Sequence, residues 1–406
     1  MNNRILLSTP HMSGNERKYI DEAFESNWIA PLGHNVDTFE KQIAEYSNVR
    51  GASATVSGTA AIHLALAVLD VKKGDKVFVS SFTFIASASP VLYLGAEPVF
   101  IDSEPDTWNM SPEALLKALK EAQASKTLPK AIVVVNLYGQ SAQMDELNAI
   151  ARTFNVPIVE DAAESLGSTY KNKKSGTLGK LGIFSFNGNK IITSSGGGAL
   201  VSDDEDLLAK ATFLSTQAKD EAPYYQHSQL GYNYRMSNIL AGIGRAQLEV
   251  LDDRVKRRRE VFDTYMNHLG ELPGVVFMPE LTETTSNRWL TTLTIDLRLY
   301  TIDPIEIIKR MEASNIETRM LWKPLHLQPL FKQAVFYKNP QYSQSVSESL
   351  FKTGLCLPSG TNMTEYDQHR VISELKTILA SSRKRKHVFI WNKQLGTRAK
   401  LEHKVN

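Results

Sequence analysis

The sequence predicts an α/β fold in which a large domain, built on a mostly parallel sheet with helices on both faces, precedes a smaller C-terminal α+β domain. Three observations carry that reading. Short apolar runs such as Lys76–Ser80, Ala131–Asn136 and Pro157–Glu160 alternate with stretches of helical periodicity. Runs apolar at nearly every position fit strands buried on both faces, the condition of a parallel sheet between helix layers. The alternation gives way after Leu272-Pro273-Gly274 to a mixed pattern, and 406 residues exceed what one hydrophobic core ordinarily serves.

Two helical patterns open the chain, near Asn15–Ser26 and Val36–Ser47. Gly58–Leu69 reads as a helix, and Lys76–Ser80 and Pro98–Ile101 read as strands. Ser111–Ala124 is a helix because Ser-Pro suits its first turn. Ala131–Asn136, Met144–Phe154 and Pro157–Glu160 follow as strand, helix and strand, and Gly182–Phe186 and Ala199–Ser202 add two more strands. One long helix is expected from Ser237 to His268, stopped at Gly270. Beyond it lie a strand at Trp289–Leu297, a helix at Pro304–Ser314, a strand at Ile316–Met320, and helices near Ser343–Phe351 and Thr364–Ala380. The expected division is 1–260 for the large domain with its N-terminal arm, 261–382 for the small one, and 383–406 for a tail.

Composition narrows the function. The net charge of +2 combines a +7 tail after Ser382 with a body of −5, so the basic character is local. A nucleic-acid partner is therefore not expected. Arg383–Lys386 could meet anionic lipid or nucleic acid, but four charges in a row fit a disordered tail better. Leu401-Glu402-His403 within that tail is reminiscent of a cloning scar. Cys356 is the single cysteine, which excludes an internal disulfide or a cysteine-based zinc site. No apolar run approaches the roughly 20 residues of a membrane span, and no signal-peptide core opens the chain. The expected location is the cytoplasm.

In parallel α/β sheets, ligands bind beyond the carboxyl ends of the strands. Three segments place polar groups there. Asp161 and Glu164 follow the apolar run Val156–Val159; alone, such an Asp is as well explained as a turn cap. Lys190 follows Phe184-Ser185-Phe186 and precedes Ser195-Gly196-Gly197-Gly198. A lysine amine drawn out of water can form a Schiff base, although a solvated lysine beside a glycine turn explains the segment alone. Ser57-Gly58-Thr59 opens a helix with small residues, which suits a phosphate or an ordinary N-cap. His63, on the apolar face of that helix, reads as a core residue.

Together the three segments match what pyridoxal phosphate requires. Its ring nitrogen needs a carboxylate, its aldehyde a lysine, and its phosphate a helix N-terminus. Phe84, after Ser81-Phe82-Thr83, offers a flat surface for the ring. No G-x-G-x-x-G follows the first strand, which disfavours a nicotinamide enzyme.

Ser57–Leu66, Ser81–Ser87, Glu160–Glu164, Phe184–Lys190 and Gly231–Asn238 carry a family resemblance. From about Leu7 to Ala380 the chain resembles the DegT/DnrJ/EryC1/StrS nucleotide-sugar aminotransferases, of fold type I among pyridoxal-phosphate enzymes. The resemblance implies that Lys190 carries the Schiff base and that Asp161 pairs with the ring nitrogen. Glu164 would lie near the ring hydroxyl, where many relatives have glutamine, and Phe84 would stack on the ring. Gly58, Thr59 and Ser185 would hold the phosphate, and Asn233 would reach it from a second subunit of a homodimer with shared active sites. Arg235 is a further candidate for substrate contact. His326 could contact donor or sugar, or be structural.

Two departures stand out. Gly196 occupies a position where many relatives carry an acid, and the variant segment Thr193–Gly198 resembles the subgroup making the 4-amino precursor of diacetylbacillosamine. Tyr138-Gly139, Ser286–Leu290 and Thr318–Lys323 agree with that subgroup. The tail matches nothing in the family. The resemblance implies transfer of an amino group from L-glutamate to UDP-2-acetamido-2,6-dideoxy-hexos-4-ulose for bacillosamine-type glycan and protein glycosylation. The alternatives are a relative acting on a GDP-perosamine precursor or a dTDP-linked sugar, and a non-catalytic regulator that binds the cofactor. Dehydrating relatives replace the lysine with histidine, so Lys190 favours amino transfer.

Overall fold

The computed structural model describes residues 3–384 and, beyond them, the backbone of 388–392 and 397–401. Helices α1 (Glu16–Glu25) and α2 (His34–Ser47) lead into β1 (Gly51–Thr55) and α3 (Gly58–Val68). Then come β2 (Lys76–Ser80), α4 (Ser89–Tyr93), β3 (Glu97–Ile101), α5 (Pro112–Ala124), β4 (Ala131–Val135), α6 (Met144–Thr153) and β5 (Ile158–Asp161). The short β6 (Thr169–Tyr170) and β7 (Lys173–Lys174) precede β8 (Leu181–Ser185), β9 (Gly198–Ser202) and α7 (Glu205–Ser215).

Helices α8 (Asn238–Leu248) and α9 (Leu251–Leu269) follow, then β10 (Val275–Phe277), β11 (Thr284–Thr285), β12 (Thr291–Ile295) and α10 (Pro304–Ala313). The remaining order is β13 (Arg319–Met320), β14 (Phe336–Tyr337), α11 (Val346–Thr353), β15 (Gly354–Leu357), α12 (Glu365–Ser381), β16 (Val388–Asn392) and β17 (Thr397–Leu401).

The main sheet has eight strands in the order β1-β9-β8-β5-β4-β2-β3-β14. Neighbours from β8 to β14 run parallel, whereas β9 is antiparallel to both β8 and β1. Alternation along each strand explains the continuous apolar runs. Val77, Val79, Val133 and Val159 share one core with α3 and α7, while Phe78, Ile132, Val134 and Ile158 share the opposite core with α5 and α6. A second sheet, β10-β12-β15-β13, packs against α9, α10 and α12 through Leu293, Ile295, Leu355, Phe262, Ile307 and Val371.

Several expectations are corrected. The long helix expected from Ser237 to His268 is two helices, because Val250 leaves helical geometry at φ −112° and ψ 10°. Asp252 and Asp253 then occupy the first turn of α9, where acids complement the helix dipole. The strand expected at Ile316–Met320 shrinks to β13, since Ile316 bridges to Ile5 of the N-terminal arm instead. β1 was not anticipated, its Gly-Ala-Ser-Ala-Thr composition giving little strand signal. The division at residue 260 remains a proposal; that residue lies within α9, and β14 from beyond it pairs with β3. Of the tail expected to be disordered, residues 385–387, 393–396 and 402–406 lie outside the described residues; β16 and β17 pair antiparallel.

Candidate active site

A cavity of about 520 Å³ opens at the carboxyl edge of the parallel strands. Each strand that reaches it delivers a group. β5 ends on Asp161, which is 4% exposed. Its Oδ2 accepts from the Ser87 hydroxyl at 2.7 Å and its Oδ1 from the Ala163 N–H at 3.2 Å. Burial pushes this carboxyl above the usual carboxylate range, while the Ser87 and Ala163 bonds and the charge of Lys190 pull the other way. Glu164, one turn later, is raised by burial in the same manner and opposed chiefly by Lys190.

Lys190 stands in the turn after β8, its N–H bonded to the Asn187 carbonyl at 3.0 Å. Its amine lies 3.7 Å from Glu164 Oε1 and 4.3 Å from the centre of the Trp289 ring. The other Glu164 oxygen accepts the Tyr138 N–H at 2.7 Å. Tyr138 delivers that N–H from a left-handed conformation at φ 51°, a strain of the kind concentrated at functional sites.

The opposite wall is the start of α3. Ser57 caps the helix by accepting from Ala60 N, and the first backbone bond runs from Ala61 N to the Ser57 carbonyl. The N–H groups of Gly58 and Thr59 therefore precede the helix's own acceptors, and Gly58, Thr59 and Ser185 all line the cavity. β9 approaches this turn so closely that a Cβ on Gly198 would meet Gly58 N and Ser57 C at 2.5 Å. A Cβ on Gly196 would meet only the Val56 carbonyl, at 3.8 Å, so the position that carries an acid in many relatives is open space here. Unpaired N–H donors, a buried acid and a lysine around one cavity fit the phosphate, ring nitrogen and aldehyde of pyridoxal phosphate.

Lys190, Asp161, Glu164, Gly58, Thr59, Phe84 and Ser185 all line this cavity. Phe84 is 49% exposed, with its ring centre 5.2 Å from that of Trp322. Three candidates lie elsewhere in the chain. His326 is held away by the Ser81 hydroxyl at 2.7 Å and a stack on Phe336 at 3.6 Å. Arg235 pairs with Glu40, and Asn233 is exposed and does not line the cavity. Sequence reasoning assigned no role to Ser87, Trp289, Arg319 and Trp322, which also line it. The last three arrive from the approach to β12 and from β13 and the segment after it, far along the chain from Lys190, in segments that the sequence marked only by family resemblance.

Comparison with known proteins accords with this geometry. The pattern of the DegT/DnrJ/EryC1/StrS aminotransferase family matches residues 10–376. EpsN of Bacillus subtilis, named as a pyridoxal phosphate-dependent aminotransferase, is 62% identical over 92% of this chain and 96% of its own length. GDP-perosamine synthase of Caulobacter vibrioides is 39% identical over 93% of this chain and 98% of its own. The crystal structure of a DegT/DnrJ/EryC1/StrS aminotransferase from Brucella abortus superposes with a TM-score of 0.82 at 30% identity, covering 90% of this chain and 95% of that one. A lysine and an acid at adjacent strand ends thus stand in a chain matched over most of its length by one family: it belongs to the DegT/DnrJ/EryC1/StrS aminotransferases, pyridoxal-phosphate enzymes that transfer amino groups to nucleotide-linked sugars.

Proposed function

We propose that the chain transfers the amino group of L-glutamate to C4 of a nucleotide-linked 4-keto-6-deoxy sugar, with UDP-2-acetamido-2,6-dideoxy-hexos-4-ulose as the substrate. The observation that carries the reading is the meeting of Lys190, Asp161 and the α3 N-terminus in one cavity. When bound, pyridoxal phosphate supplies an aldehyde that takes up amines and a ring that stores the electron pair left by a departing proton.

The chain's own residues supply the rest. Lys190 would hold the aldehyde of the bound cofactor, and its amine, once free, would take the proton from the donor Cα and return one to sugar C4. Asp161, fixed by Ser87 and the Ala163 N–H, would face the ring nitrogen and favour its protonated form. Glu164, whose Oε1 lies 3.7 Å from the Lys190 amine, would face the ring hydroxyl. Gly58, Thr59 and Ser185, which line the cavity, would hold the phosphate, and Phe84 would cover one ring face. Asn233 is exposed and does not line the cavity of its own chain, which leaves it free to serve the second site of a homodimer. Two half-reactions at one site give ping-pong kinetics.

The resemblance of the segments Tyr138-Gly139, Ser286–Leu290 and Thr318–Lys323 to the diacetylbacillosamine-precursor subgroup supports the UDP-linked substrate, and Trp289, Arg319 and Trp322 from the last two line the cavity. The 39% identity to a GDP-perosamine synthase supports a GDP-linked 4-keto sugar as the second reading. A panel of UDP-, GDP- and dTDP-linked 4-keto sugars with L-glutamate, followed by product NMR, tests both. No amination of any of them sinks the proposal; preference for the GDP sugar replaces the first reading by the second. Among the described residues no helix is long and apolar enough to cross a membrane.

A further inference from the structure

Among the described residues, one buried guanidinium linked to the Lys190 segment has no acid against it. Arg258, on α9, is 2% exposed, and burial together with the like charge of Arg254 draws it down to about 9. Removing a charge from water without a counter-ion is costly, so its acceptors have to be well placed. Nη1 donates to the carbonyls of Trp289, at 2.9 Å, and Ser359, and Nη2 donates to the Ser8 hydroxyl oxygen at 2.8 Å.

Ser8 passes the contact on. Its hydroxyl donates to the Asn189 carbonyl at 2.9 Å, and the Trp289 indole N–H donates to the same carbonyl at 2.7 Å. Asn189 is the residue before Lys190, and Trp289 is the ring over which the Lys190 amine lies. The backbone entering Lys190 and the wall beside its amine are thus tied to one buried cation. Ser8 reaches this point because the N-terminal arm is laced down: Leu7 N–H donates to Glu317 Oε2 at 2.9 Å, and its carbonyl accepts from Ser359 N–H at 2.8 Å.

We propose that Ser8, oriented by Arg258, is a positioning residue for Lys190, so that the N-terminal arm completes the active site from behind. The inference rests on the reading of Lys190 as the cofactor lysine. A hydrogen-bonded carbonyl fixes the direction from which the lysine side chain leaves the main chain. A misplaced amine costs rate without costing substrate affinity.

The test compares holoenzymes carrying Ser8→Ala and Ser8→Thr with wild type. It reads the rate constant of the L-glutamate half-reaction by cofactor absorbance, and the visible circular dichroism of the lysine-bound cofactor. Ser8→Ala is expected to slow the half-reaction about fivefold, to leave the glutamate KM within about twofold, and to change the dichroism at full cofactor content. Ser8→Thr, which keeps the hydroxyl, restores both readouts. Wild-type rate and dichroism in Ser8→Ala overturn the proposal, as does a Ser8→Thr enzyme as slow as Ser8→Ala. Failure of the underlying reading looks different: borohydride then fixes no cofactor at Lys190 in the wild-type protein.

Discussion

Ser87 donates its hydroxyl hydrogen to Asp161 at 2.7 Å, joining the loop after β2 to the end of β5 beneath the cavity. The bond favours the ionised carboxyl against burial, which pushes it up. In Ser87→Ala that support is gone and Asp161 moves further above the ordinary range. The acid limb of the kcat/KM profile, where Asp161 must be ionised to hold the ring nitrogen, is expected to shift to higher pH. An acid limb at the wild-type position would show that Asp161 does not set it.

Lys190→Ala removes both the Schiff-base amine and the proton carrier. Turnover is expected to fall by roughly a thousandfold or more, and borohydride should no longer fix the cofactor to the chain. Peptide mapping of the wild-type protein after reduction checks the same point, since label on any other lysine would displace Lys190 from its role.

The glycines after Lys190 are not equivalent. Gly198→Ala drives a Cβ to within 2.5 Å of the Gly58 nitrogen, so the α3 N-terminus must yield. Overpacking of this sort costs about 1–3 kcal/mol, and here it spoils the phosphate cradle as well. Gly196→Ala meets nothing closer than 3.8 Å. Dialysis of the two holoenzymes should release cofactor from Gly198→Ala and not from Gly196→Ala. Equal retention would mean that the cradle does not depend on this close approach.

Asp161, Lys190 and the Ser57–Thr59 turn were legible in the sequence because each sits immediately after a strand or before a helix, and such junctions are local patterns. Trp289 and Arg319 were not, since their place at the cavity depends on how the second sheet packs against α9. The sequence leaves His326 open between ligand contact and a structural role; in the structure it bonds Ser81 and stacks on Phe336 and is not among the residues lining the cavity. The break at Val250 was hidden because apolar periodicity continues through it, from Ala246 to Leu251 and on to Val261. The edge strand β1 emerges from pairing with β9, about 150 residues away in sequence, which no local window detects.

His63 supplies a pH test of the helix that carries the phosphate cradle. Its ring is 4% exposed, touches Tyr232 and Tyr93, and lies 3.2 Å from the Tyr234 hydroxyl through Nδ1. Burial pulls its pKa down to about 4. Unfolded, the ring titrates near 6.5, so between those values the unfolded chain binds more protons than the folded one. Stability from this residue is complete above about pH 6.5 and is lost as pH falls toward 4, by roughly 2 to 3 kcal/mol. His63→Gln cannot titrate, so its urea midpoint should lie below wild type near neutral pH, and the gap should close or reverse near pH 5. A gap that stays constant between the two pH values would mean that His63 is protonated without cost in the folded protein and that the α3 core tolerates the charge.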